Sequence, residues 1–149
     1  MANEISAFPT IRNVLVSGDN ILTLIAGEAL KAGQCVGFAA TGVANTVVVM
    51  DNTSDEYVVG VALYDAASGA KVAVATAGCV CYVANENTVS AVEAGKYVIP
   101  KTLGGVIEHT YGGTEGTYTV LGLCLSGIAA NSTGTVLIMP SVSDEEVAA

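Results

Sequence analysis

The sequence has no tryptophan, a single histidine (His109), and only five lysines and arginines against fourteen aspartates and glutamates. Each shortage excludes something. A formal net charge of −9 repels phosphate backbones, so no nucleic-acid partner is expected. The six tyrosines scatter without the basic interleaving of a nucleic-acid surface. A glycan-binding sandwich would prefer exposed tryptophans. No apolar run reaches the roughly 18 residues of a membrane span, and no basic amphipathic face is present, so no membrane role is expected. The opening MANEISAFPTIRN has neither a basic nor an apolar leader region, so no signal peptide is expected.

Charge is scarce in total as well. Charged residues make up 13% of the chain and apolar ones 52%, where about 25% charged is usual. Either serine, threonine and asparagine cover the surface, or part of it is buried against another chain. Oligomerisation is expected on that ground. The four cysteines (Cys35, Cys79, Cys81, Cys124) are too sparse for a disulfide scaffold. Cys79 and Cys81 lie two apart on an extended stretch, so they face the same way. They read first as small buried hydrophobes, with zinc binding and thiol redox chemistry as the alternatives.

The chain, at 149 residues, fits one domain. Its most legible stretch is Tyr57–Ala84, which predicts three strands. Tyr57–Leu63 is a β-branched run. Lys71–Thr76 alternates, with Val72, Val74 and Thr76 on one face and Lys71, Ala73 and Ala75 on the other. Cys79–Val83 resumes the period of two after the turn at Ala77-Gly78. Residues 21–31, ILTLIAGEALK, admit at most one or two helical turns.

An internal repeat organises the rest. Ala32-Gly33-Gln34-Cys35-Val36 matches Ala94-Gly95-Lys96-Tyr97-Val98, and Val58–Leu63 matches Val120–Leu125, both 62 residues apart. Lys71–Val74 is then set on Thr135–Ile138, with two residues gained in the second copy. The expectation is one all-β domain over 21–140, a small barrel or sandwich of two related halves, about 22–84 and 85–140. Residues 1–20 read as an N-terminal arm around Phe8-Pro9, or as a segment tucked under the core. Residues 141–149, after Pro140, read as a disordered acidic tail. Gly33 and Gly95 suit positive φ, and the mid-strand Gly60 and Gly122 suggest a bulge, a bend or close packing.

Catalytic groups do not assemble. Glu108, His109 and Tyr111 sit in a glycine-rich hairpin over 104–116 and read as solvated, since neighbours on a strand face opposite ways. No phosphate-cradling glycine motif is present. Asp51–Asp55 offers alternating oxygen ligands but lacks the glycine and distal glutamate of a calcium loop. Lys71 follows a hairpin tip without the flanking residues of a biotinyl or lipoyl carrier. No catalytic residue, metal or cofactor is expected.

The order A-G-x-x-V (Ala32–Val36), V-V-G-V-A-L (Val58–Leu63), D-A-A-S-G-A-K-V-A-V (Asp65–Val74) and A-G-C-V (Ala77–Val80) resembles the capsid decoration, or cement, proteins of tailed viruses. Gln34 stands where an acid is common in them. The resemblance implies a non-enzymatic homotrimer on the outside of the expanded capsid, made in the host cytoplasm, that clamps neighbouring copies of the major capsid protein. Terminal arms often make such contacts, which nominates Ile5, Phe8, Pro9, Ile11 and Arg12. The alternative reading is a ligand-binding or accessory β-barrel subunit of a cellular complex.

Overall fold

A computed structural model describes residues 14–38, 43–50, 57–109 and 116–145. Eleven strands follow in order: β1 (Leu15–Ser17), β2 (Ile21–Ala26), β3 (Cys35–Phe38), β4 (Thr46–Val49), β5 (Tyr57–Ala62), β6 (Lys71–Ala75), β7 (Val80–Ala84), β8 (Tyr97–Pro100), β9 (Val106–Glu108), β10 (Gly116–Cys124) and β11 (Thr133–Glu145). No helix occurs among the described residues. The ambiguous 21–31 stretch forms β2, where the β-branched Ile21, Thr23 and Ile25 pair with Ala75, Ala73 and Lys71 of β6.

Strands β2-β4-β3-β5-β6 close into a barrel, and β1-β7-β11-β10-β8-β9 form a six-stranded sheet. The fold is therefore all-β, with a small closed barrel as one of its two parts. Leu24, Leu30, Val36, Val47, Val72 and Val74 fill the barrel axis and share one buried cluster. This follows from closing so few strands, since even eight leave an interior that side chains fill. A second cluster joins the sheet's interior (Val83, Val98, Val136) to the barrel's outer wall (Cys35, Val61, Ala75).

The repeat is visible as hydrogen bonding. Val61 pairs with Ala75 as Leu123 pairs with Leu137, and the bridge Leu30–Ala66 recurs as Val92–Ile128. Gly33 N donates to Ala62 O at 2.8 Å, and Gly95 N to Cys124 O at 2.8 Å. Gly33 and Gly95 both take positive φ, at 88° and 85°. One detail of the sequence alignment is corrected. Leu63 N donates to Ala73 O and Leu125 N to Thr135 O, so Ala73, not Lys71, is the counterpart of Thr135. The 62-residue offset thus runs through β6 and β11 without the two-residue gain. A slip of two preserves every face of an alternating strand, so the pattern alone does not exclude it.

Three boundaries also move. The repeat groups Val80–Ala84 with the first half, yet β7 pairs with β11 in the sheet and matches β2: Val80 opposes Leu137 as Ile21 opposes Ala75. The sequence alone puts residues 14–20 in the arm. Yet Leu15 pairs with Cys81, and Tyr82 N donates to Val14 O at 2.9 Å, so this stretch belongs to the sheet. Pro140 predicts a tail from Ser141, but Ser141–Glu145 continue β11 and pair with Val120–Gly116. Pro140 does not end the strand because it lies in a bulge. The ladder steps from Val120–Ser141 to Gly122–Ile138, and a proline there need not donate an N–H.

Candidate interaction surface

The candidate chemical side chains are engaged within the chain or lie outside the described residues. His109, expected to be solvated, is only 4% exposed, and its backbone N donates to Tyr97 O at 2.8 Å. It follows β9 directly and extends the β8–β9 ladder by one rung opposite Tyr97, which holds it against the sheet. Glu108 Oε2 accepts from Glu93 N at 3.4 Å. Tyr111, like the acidic run over 51–55, lies outside the described residues. No group of three or more histidine, cysteine or acidic side chains among the described residues is placed to hold a metal.

All four cysteines are free and buried, in line with their reading as small hydrophobes. Burial raises the pKa of Cys35, which keeps its thiol protonated. Burial, with the neighbouring Cys79 adding to it, pushes Cys81 up to about 12. Burial also raises Cys124, opposed by the backbone N–H groups of Gly127 and Ser126. The Cys79 thiol donates to Asn20 O at 3.6 Å. Raised thiols in apolar surroundings are poor nucleophiles and poor metal ligands.

Two buried polar side chains organise loops. Asn85 stands where the barrel has Ala26, and its amide donates to Ser90 O at 2.9 Å and Ile128 O at 3.2 Å while its oxygen accepts from Asn87 N at 2.9 Å. A cavity of about 370 Å³ is lined by Asn85, Asn87, Ser90, Val92 and Glu108. These polar groups are engaged within the chain, Asn87 Oδ1 accepting from Val89 N and Ser90 N. Gln34, fully buried, accepts from Lys31 N at 2.8 Å and donates to Leu103 O at 3.0 Å. Cys35 N donates to Gly104 O at 2.7 Å, so the turn after β8 is bonded onto the barrel end. That turn is held in its own right by Glu86. The Glu86 carboxylate accepts from Leu103 N at 2.6 Å, Gly105 N at 2.8 Å and Thr102 N at 3.1 Å.

What remains available is surface. The sheet face turned away from the barrel carries Val80, Leu123, Leu137 and Tyr97 side by side, flanked by the exposed Tyr82, Leu125 and Met139. None of these is charged. The sequence signal for this face is the set Tyr97, Leu123, Leu125 and Leu137, which puts large apolar residues at both parities of their strands. The nominated contact residues Ile5, Phe8, Pro9, Ile11 and Arg12 lie outside the described residues.

No curated protein matches the sequence. Among solved structures, the fold is similar to that of the head fiber gp8.5 N base in bacteriophage phi29. The TM-score is 0.54 at 14% sequence identity, covering 80% of this chain and 92% of that one. At that identity the likeness is one of fold. A family model described as phage cement protein matches residues 15–140, which takes in the barrel and the sheet up to the bulge at Pro140. The chain belongs to the phage cement protein family.

Proposed function

We propose that this protein is a capsid cement protein that binds the outside of the expanded phage head as a homotrimer, contacts the major capsid protein and stabilises the shell. The observation that carries the reading is the family match over residues 15–140. The molecule's physics supports it. The same backbone hydrogen bonds recur in barrel and sheet, which share one continuous buried cluster. Its cysteines and histidine are buried, and its bound loops are satisfied from within. Many copies of a modest contact on one shell gain avidity without a strong single site. A net charge of −9 keeps coated particles apart in solution.

In this reading the protein performs no catalysis, needs no cofactor, and resides on the virion surface after synthesis in the host cytoplasm. Residues 1–13, with Ile5, Phe8, Pro9, Ile11 and Arg12, act as the arm that reaches a capsid neighbour. The strand that follows them in sequence, β1, is an edge strand of the sheet. The ligand-binding alternative finds less support, since packed side chains occupy the barrel axis.

Light scattering on the purified protein, followed by co-sedimentation with expanded capsids, tests the reading. A trimer that pellets with capsids and raises their melting temperature is expected; a monomer that never pellets overturns it. Deletion of residues 1–12 should leave the fold intact and weaken capsid binding. Unchanged binding removes the arm from the contact.

A further inference from the structure

Two rows of side chains hold the same place in the two sets of strands. Across β2, β6, β5 and β3, Ile21, Ala75, Val61 and Cys35 stand in consecutive register. Across β7, β11, β10 and β8, Val80, Leu137, Leu123 and Tyr97 do the same. Every pairing in the first row has its counterpart in the second. In both rows the side chains point away from the interior of their own set, because the adjoining Val36, Ala62 and Val74, and likewise Val98, Cys124 and Val136, are the buried ones facing inward.

The first row is sealed. Cys35, Val61 and Ala75 are 0% exposed and share a cluster with Leu121 and Ile138, and β5 packs against β10 and β11. The second row is only partly covered: Tyr97 is 38% exposed, and Val80, Leu123 and Leu137 are half-buried. Had the two sets met about a two-fold axis, row would cover row and both would be sealed. They meet head to tail instead, which leaves one row of each chain only partly covered. An arrangement of this kind continues from copy to copy until its rotation closes a ring.

We infer that the row Val80–Leu137–Leu123–Tyr97 is the docking surface for a second copy of this chain, whose barrel covers it as the sheet covers the barrel's own row. The surroundings suit that occupant. Tyr82, Leu125 and Thr135 beside the row are uncharged, so two copies of net charge −9 approach there with least repulsion. A row of aliphatic side chains ending on a tyrosine is the composition of an interface core. The inference deepens the homotrimer part of the proposed function, on which it rests, and does not depend on capsid binding.

Sedimentation velocity on the full chain and on Leu123→Asp and Leu137→Asp is the test. The wild type should sediment as a closed oligomer. Each variant should need about 100-fold more protein to assemble, as when a charge is placed in an interface core. A photo-cross-linking amino acid at position 97 gives a second readout that does not depend on the folding of either variant. Its product should join one copy to residues 21–75 of another. A monomeric wild type, an oligomer indifferent to both folded variants, or cross-links confined to other regions overturns the inference. Capsid pelleting run in parallel separates the two readings. A wild-type oligomer with the expected cross-link that never pellets leaves this interface standing and sinks the capsid reading, and a wild-type monomer that pellets does the reverse.

Discussion

Gly60 and Gly122 are the same residue twice: a Cβ on Gly60 would collide with the carbonyl oxygen of Ala75, and one on Gly122 with that of Leu137. Both sit at a break in register, between Val36 and Gly37 opposite Gly60, and between Val120 and Gly122. The neighbouring strand's backbone occupies the space a side chain would take, and backbone cannot rotate aside. Gly60→Ala and Gly122→Ala are each expected to destabilise the protein by more than about 3 kcal/mol, read from urea midpoints. Gly69→Ala is the control. Gly69 has a φ of 86° but open space around its Cβ, so the cost should stay near 1 kcal/mol.

This pair also shows how far the sequence reaches. Glycine inside a β-branched run at the same place in both copies has few meanings, so Gly60 and Gly122 were legible as bulges or close approaches. Gly33 and Gly95 are legible as turns, and Val72 and Val74 as sharing one face of their strand. Pro140 misled, since a proline in a run of apolar residues reads as a stop until the bulge opposite Leu121 is known. His109 misled because it extends the β8–β9 pairing to Tyr97, a cross-strand register that no local pattern records. The partly covered row was the hardest to see. Leu123 and Val61 look alike in sequence, and only the way the two sets pack decides which one is covered.

The Glu86 carboxylate replaces water for three backbone N–H groups of the 102–105 turn, and a charged acceptor makes the stronger kind of hydrogen bond. Glu86→Ala should cost about 2–4 kcal/mol. Its distinguishing mark should be local. Hydrogen exchange at Leu103, Gly105 and Cys35 N should accelerate by more than the global loss accounts for, since Cys35 N donates to Gly104 O. Protection that falls evenly across the barrel would show that the turn is not a separately held unit.

The thiols predict an alkaline limit. Cys35, Cys81 and Cys124 are raised in the folded protein above an ordinary value of 9.0, Cys81 to about 12. The unfolded chain therefore gives up protons above about pH 9 that the folded chain retains. The stability contributed by these groups is complete below pH 9 and is lost as pH rises toward 12, at up to about 1.4 kcal/mol per pH unit for each thiol. Urea midpoints from pH 8 to 11 should fall, and fall less steeply in Cys81→Ala. Ellman's reagent should react slowly with the native protein at pH 8 and with all four thiols in urea. Rapid native reaction would mean that the strands around Cys79 and Cys81 open readily.

Gln34 sits where an acid is common in the decoration proteins that the early turn resembles, and the structure gives the amide a reason. Its oxygen accepts from Lys31 N, a role a carboxylate would fill equally well. Its nitrogen donates to Leu103 O, and a carboxylate has no hydrogen to offer there. Gln34→Glu at neutral pH thus places a buried charge against a carbonyl oxygen and should cost about 2–4 kcal/mol. Protonation supplies the missing donor, so the folded state raises this glutamate above its unfolded value. The penalty should then vanish as pH falls below about 4 and be complete only above the raised folded value. Gln34→Met, which fills the space without either polar group, leaves Leu103 O unpaired at every pH. A Gln34→Glu variant whose deficit is the same at pH 4 and pH 7, matching Gln34→Met, would show that shape and not the donated hydrogen bond selects glutamine at this turn.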